Sequence, residues 1–255
     1  QRQMCIRDRG IKFFQLPTTL LAQVDAAIGG KTAVNLLEAK NAVGTFHQPG
    51  FVWSNIDYLK TLPQKEWLNG MAEVVKYGMI MDKRFFYFLK NKIDINNIKH
   101  DDLERIVYSS SKCKAFVVSR DEKETSGLRE ILNFGHTFGH ILEVYYGYKN
   151  IKHGEAVSLG MVFASRIAEK LGIFCGAGQL TGALKKYNLP VVLPRPLKGA
   201  GWKKVLYSDK KFVGGVNRFV LPVAIGGVKI VENIKPEIIK SVVSEMNSEI
   251  KGSYL

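Results

Sequence analysis

From Gln64 onward the apolar residues of this chain recur at helical spacing, and that change of period constrains the fold more than any other feature. Leu68, Met71, Val75 and Met79 fall three or four apart, so they share one face of a helix. The same reading predicts helices over 82–89, 101–120, 128–145 and 154–171, the last ended by Gly172. A shorter helix over 179–187 stops before Pro190, another ends in the charged run 205–211, and a terminal one spans 236–250. Residues 218–225 and 228–231 predict a hairpin around Gly226-Gly227.

Before Gln64 the pattern differs. Ile11 to Leu16 reads as a buried strand ended by Pro17, and Phe51 to Ile56 as a second apolar strand. Between them Thr18-Thr19 can cap a segment running from Leu20 to Ala27. Strands followed by helices predict an α/β portion over 1–62 and a mainly helical domain with a small hairpin over 63–255, with a ligand cleft between them. Gln1 to Arg9 has neither periodicity and reads as a ragged, non-native end.

Charge narrows the function classes. Lys+Arg 37 against Asp+Glu 23 gives +14 over 255 residues, an attraction for anions. The basic residues are spread along the chain without a zinc-finger, RNP or helix-turn-helix signature, which argues against nucleic acid. No apolar run reaches about 18 residues, so no membrane span is expected. Cys5, Cys113 and Cys175 are scattered, which favours no disulfide framework and a reducing cytoplasm.

The chemistry-bearing residues lie in three places. Asn133 to His140, followed by Lys152 to Glu155, holds three of the five histidines. His136 and His140 share a helix face, and His153 opens the next helix, where the positive helix terminus disfavours imidazolium. Two imidazoles and a carboxylate suit zinc; satisfied helix histidines are the plainer alternative. Arg129, Asn133, His136 and His140, at offsets of four, three and four, predict one functional stripe on one helix. Glu73, Lys76 and Tyr77 share a face in an apolar and glycine-rich run, where a carboxylate needs a metal or a buried lysine beside it. Gly29-Gly30-Lys31-Thr32 lacks the full phosphate-loop spacing, yet its glycines admit a ligand and Lys31 offers a point charge for phosphate.

Leu16 to Asp25, Gly29 to Asn35, Gly70 to Gly78 and Asn133 to His140 together resemble the 3-dehydroquinate synthase family, in the family's order and over nearly the whole chain. The resemblance implies a Rossmann-like nucleotide-binding remnant followed by the helical domain. It implies a cytoplasmic carbon–oxygen lyase of the shikimate pathway, dependent on NAD and on Zn2+ or Co2+. The reaction would take 3-deoxy-D-arabino-heptulosonate 7-phosphate to 3-dehydroquinate and phosphate, through transient oxidation, elimination, re-reduction and aldol closure. The implied zinc ligands are Glu73, His136 and His153, which makes His140 a substrate-contacting proton relay. Asp25, Lys31, Asn41 and Lys76 match the family's reacting pocket. Lys114, Arg129 and Asn133, with Lys210 or Lys211, match its substrate-anchoring cluster. Thr18, Thr19, Lys31, Lys40, Tyr58, Leu59, Lys60 and Thr61 match positions touching NAD. A homodimer is implied for the full-length protein, with a phosphorylated sugar acid as its small-molecule partner.

Two departures qualify the match. The family begins with roughly a hundred further residues, a half-domain carrying the pyrophosphate loop, so the resemblance implies an N-terminally truncated copy that does not hold NAD tightly alone. Ser126 stands as an extra loop residue between Lys114 and Arg129. The competing readings are another sugar-phosphate cyclase, a metal-dependent polyol dehydrogenase of the same fold, and a basic zinc-stabilised binding module.

Overall fold

A computed structural model of the chain describes residues 10–36, 39–199, 201–202 and 217–252, without the side chains of 34–36, 39–43 and 251–252. Gln1 to Arg9, the predicted helix end at 205–211 and with it Lys210 and Lys211 lie outside the described residues, as do the side chains of Lys40 and Asn41. In chain order the elements are a π-helical turn Ala22–Ala26, strands β1 (Lys31–Leu36) and β2 (Ala39–Phe46), and a 3-10 turn Ile56–Thr61. Helices α1 (Gln64–Ile80), α2 (Lys83–Asn91) and α3 (His100–Arg120) follow, then a 3-10 turn Leu128–Asn133. Helices α4 (His136–Tyr146), α5 (His153–Lys170) and α6 (Ala177–Lys186) lead to strands β3 (Arg218–Ala224) and β4 (Gly227–Glu232). Helix α7 (Pro236–Ser248) and a short 3-10 turn close the described chain.

The core forms around α1 and α5. Every residue of α1 from Gly70 to Ile80 is buried, and α5 is buried along nearly all of its length. A helix apolar on all sides has to run through the interior, and these two do. Helix α5 packs against α1, α4, α6, α7 and β3, while α1 also meets α2 and α3. Aromatic rings join the layers: Phe138 of α4 stacks on Phe163 of α5 at 3.9 Å, and Phe163 meets Phe219 of β3 at 6.1 Å. Replacing Phe163 by alanine would cost about 3–5 kcal/mol. The β3–β4 hairpin is antiparallel, and the Gly226 N–H at its turn donates to the Met79 carbonyl at 2.9 Å. That bond ties the hairpin to the end of α1.

Four local expectations change. Residues 11–16 and 51–56 are not buried strands: a single parallel bridge joins Gln15 to Val52, and Ile11, Phe14, Leu16, Phe51 and Trp53 remain exposed. No third segment among the described residues pairs with them, so a sheet face never closes over their side chains. Lys31 to Phe46 forms an antiparallel β1–β2 pair. The helix expected over 128–145 is two pieces, the 3-10 turn Leu128–Asn133 and α4, separated at Phe134-Gly135. Arg129 and Asn133 therefore do not continue the α4 face that carries His136 and His140. No helix among the described residues is long and apolar enough to cross a membrane.

Candidate active site

Three elements bring the site together, and small residues set their spacing. Helix α1 supplies Glu73, fully buried, and Lys76 one turn on. Helix α4 starts at His136 because Gly135 turns the chain with φ +81°, a conformation side chains other than glycine rarely adopt. Across from it, a Cβ on Gly160 of α5 would stand 1.8 Å from the Gly135 carbonyl, so α5 passes the start of α4 closer than any other residue permits. Helix α5 starts at His153. Its free N–H groups are met by the Glu155 carboxylate, which accepts from Lys152 N–H at 2.8 Å, and by Asn69 of α1, whose side-chain oxygen accepts from Gly154 N–H at 2.6 Å. Asn69 thereby clips the first turn of α5 to α1, with His153 beside Glu73.

Glu73 Oε1 lies 3.4 Å from His136 Nε2 and 3.5 Å from His153 Nε2. Donors about 2.0–2.2 Å from a tetrahedral zinc stand about 3.3–3.6 Å apart, so the observed spacings fit such an ion. One ligand atom from each of the three residues lies within 4.8 Å of the others, and they form a possible metal-holding cluster among the described residues. Both Glu73 carboxylate oxygens are buried without a hydrogen-bond partner; Oε2 is ion-paired with Lys76 and Oε1 faces the two imidazoles. A buried carboxylate aimed at two ring nitrogens is a donor set for a cation. The outer ring nitrogens are also held: His136 Nδ1 lies 3.2 Å from the Phe134 carbonyl and His153 Nδ1 lies 3.0 Å from Glu143 Oε1.

Protonation follows the same contacts. Burial opposes ionisation of Glu73, but the Lys76 ammonium and His136 outweigh it and hold the carboxyl well below the usual range. Burial lowers His136 against the pull of Glu73, which leaves a neutral ring with a lone pair to give. Burial also works against His153, yet the hydrogen bond to Glu143 and the nearby Glu73 carboxylate raise it to about 9. At the start of α5 the helix terminus opposes imidazolium, whereas Glu143 and Glu73 favour it. A metal ion on Nε2 would displace that proton.

A set of charged side chains adjoins this cluster. Asp25 stands between two lysines, 3.7 Å from Lys76 Nζ and in direct ion pair with Lys114, which also donates to the Asp25 carbonyl at 2.7 Å. Burial and the Arg129 guanidinium draw the Lys114 ammonium down to about 7, while the Asp25 carboxylate in contact with it pulls the other way. Arg129 is buried and donates to the Gly29 carbonyl at 3.0 Å and the Glu122 carbonyl at 2.7 Å. Glu124 pairs with Lys31 and lies 3.4 Å from Arg129 Nε. Asp121 organises the loop: its carboxylate accepts backbone N–H groups from Thr125 (2.8 Å), Ser126 (3.0 Å) and Arg129 (2.9 Å), which hold it down at about 2.

The remaining predicted residues fall as follows. His140 is half-buried with its ring edge-on to His136 at 5.8 Å, and it is not a member of the donor cluster. Asn133 is half-buried beside a void of about 10 Å³ shared with Gly135, Phe138 and Phe219. Thr18 is exposed; Thr19 Oγ1 accepts from Ala22 N–H at 3.2 Å. Tyr58, Lys60 and Thr61 are exposed, Lys60 pairing with Asp57 at 2.7 Å, whereas the Leu59 side chain is in the core. Gln23 brings these two segments side by side, donating to the Pro17 carbonyl at 3.1 Å and the Asn55 carbonyl at 2.8 Å. Gln23, Asp121, Glu124 and Glu143 are not singled out by the sequence pattern. A signal existed for Glu143, a lone acid among Ile141, Leu142 and Val144.

The chain is similar to known proteins. A family profile described as 3-dehydroquinate synthase N-terminal matches residues 4–69, and one described as 3-dehydroquinate synthase C-terminal matches residues 70–212. The 3-dehydroquinate synthase of Thermodesulfovibrio yellowstonii is 45% identical over 240 residues, covering 93% of this chain and 67% of its own length. The chain spans about two thirds of the length of such curated relatives. The fold is similar to 2-epi-5-epi-valiolone synthase of Streptomyces hygroscopicus subsp. jinggangensis, solved with NAD+ and Zn2+ bound, at TM-score 0.86 and 24% identity, covering 96% of this chain and 69% of that one. It is also similar to 2-deoxy-scyllo-inosose synthase, solved with carbaglucose-6-phosphate, NAD+ and Co2+, at TM-score 0.82 and 27% identity, covering 93% and 68%. With both profiles matched in order and a relative this similar, the chain belongs to the 3-dehydroquinate synthase family.

Proposed function

We propose that this chain carries the metal- and substrate-binding machinery of a 3-dehydroquinate synthase, which converts 3-deoxy-D-arabino-heptulosonate 7-phosphate to 3-dehydroquinate and phosphate. The observation that carries the reading is the convergence of Glu73, His136 and His153 beside Lys76, Lys114 and Arg129. The three donors would hold Zn2+, or Co2+ in its place. A bound metal supplies Lewis acidity, which lowers the pKa of vicinal substrate hydroxyls, and NAD supplies a hydride acceptor.

The chain's own residues do the rest. Lys31, Lys114 and Arg129 present positive charge to the phosphate and carboxylate of the substrate. Asp25 and Lys76 set the charge balance between this anion site and Glu73. His140, one turn beyond His136, moves a proton at the substrate. Asn41, Asn133 and one of Lys210 or Lys211 add polar contacts. Thr18, Thr19, Lys31, Lys40, Tyr58, Lys60 and Thr61 would hold NAD through side chains, and Leu59 through its backbone, since its side chain is buried. We assign the enzyme to the cytoplasm, where thiols such as Cys113 and Cys175 stay reduced, and to a homodimer.

The test is phosphate release from the heptulosonate phosphate by a fusion that supplies the third of the T. yellowstonii relative that this chain does not span. Release that needs NAD+ and a divalent metal, and that Glu73→Gln abolishes, supports the reading. Release indifferent to Glu73→Gln contradicts it, and so does an inactive fusion assayed beside the active relative.

A further inference from the structure

Helix α4 carries one acid in an apolar run, Ile141-Leu142-Glu143-Val144, and that acid is inside the protein, 2% exposed. A buried carboxylate is costly unless paired. Its partner is the ring of His153, at 3.0 Å from Glu143 Oε1 to Nδ1. The opposite ring nitrogen, Nε2, faces Glu73 Oε1 at 3.5 Å. One imidazole is therefore gripped on both sides by carboxylates from two different helices. Glu143 addresses the nitrogen turned away from the donor cluster, so it is not a competing ligand.

We propose that Glu143 is the positioning residue of the metal centre: it accepts the Nδ1–H of His153, which fixes the tautomer with its lone pair on Nε2 and aims that lone pair at the corner formed by Glu73 and His136. The proposal rests on the reading of Glu73, His136 and His153 as a metal site, and it does not depend on the reaction. His153 needs this help more than His136 does. The Nδ1 of His136 lies 3.2 Å from the backbone carbonyl of Phe134, a partner built into the turn before α4. His153 stands at the first residue of α5, half-buried, with no backbone carbonyl bonded to its ring among the described residues. A side chain from the preceding helix does for it what the backbone does for His136. Outer partners of this kind orient the ring and raise its basicity.

The experiment measures Zn2+ affinity of the whole chain by competition with a chromophoric chelator, and the visible absorption of the Co2+-loaded protein. The variants are Glu143→Ala, Glu143→Gln and Glu143→Asp, with His136→Ala as the control for the site itself. Circular dichroism of the metal-free proteins reports folding separately. Glu143→Ala weakens zinc about 10–100-fold, the usual cost of losing such a partner. Glu143→Gln keeps an oxygen that can accept Nδ1–H, so it recovers most of the affinity and the wild-type Co2+ spectrum. Glu143→Asp keeps the charge but withdraws the oxygen by about one carbon–carbon bond, ~1.5 Å, so it binds more weakly than Glu143→Gln. The Gln and Asp variants decide the matter even where the Ala variant does not fold. Unchanged affinity in all three, or Asp binding as well as Gln or better, overturns the positioning role. Zinc bound equally by wild type and His136→Ala overturns the metal reading beneath it, a separate and recognisable result.

Discussion

Glu73 Oε1 and His136 Nε2, delivered by two different helices, stand 3.4 Å apart, the separation that two corners of a tetrahedral zinc site present. His140, one turn further along α4, has its ring 5.8 Å from that of His136 and lies outside the donor cluster. The two histidines should therefore fail differently. His136→Ala loses zinc and activity together, whereas His140→Ala keeps one zinc per chain and loses activity. Metal content after gel filtration separates the cases, and equal zinc loss in both would make His140 a ligand.

Lys76 is buried between Glu73 and Asp25, 1% exposed. Its loss removes the ammonium in direct contact with Glu73, and breaking such a buried pair costs about 3–5 kcal/mol. A zinc ion on Glu73 would supply the missing charge. Lys76→Ala should accordingly destabilise the metal-free protein strongly and the zinc-saturated protein much less. Urea melts with chelator and with excess zinc compare the two; equal losses would contradict the shared charge.

The Asp121 carboxyl sits at about 2, below its ordinary value near 4, because backbone N–H groups of Arg129, Ser126 and Thr125 prefer the anion. A depressed folded-state value means the stabilisation is fully present above about pH 4 and fades as pH falls through about 2. Wild type should thus exceed Asp121→Asn in melting temperature by a steady margin from pH 7 to about 4, and the margin should shrink below that. A margin unchanged at pH 2 would show that the loop does not depend on the ionised carboxylate.

The helices were legible because burial imposes a period: Gln64–Ile80 starts where the period changes, and His100–Arg120 and His153–Lys170 start and stop within a residue of where apolar spacing and caps place them. The break at Gly135 was not. Nothing in a run of helix-compatible residues announces a glycine at φ +81°, and the close passage of Gly160 beside it is a tertiary contact 25 residues away. The buried strands expected at 11–16 and 51–56 failed for the opposite reason. Apolar composition signals a tendency to be covered, but only a pairing partner provides the cover, and Phe14 and Trp53 have none beyond each other's segments among the described residues. At the site, Glu73, Lys76 and the histidines stood out as polar groups in apolar or glycine-rich runs. Gln23 and Asp121 did not, since their work is to bond backbone groups that sequence spacing does not reveal.

The most direct measurement is the coordination of zinc added to this chain, by crystallography or X-ray absorption. One ion is expected, with Glu73 Oε1, His136 Nε2 and His153 Nε2 each at about 2.0–2.2 Å, and Glu143 still on His153 Nδ1. Zinc held by His140, or by residues other than these three, would contradict it.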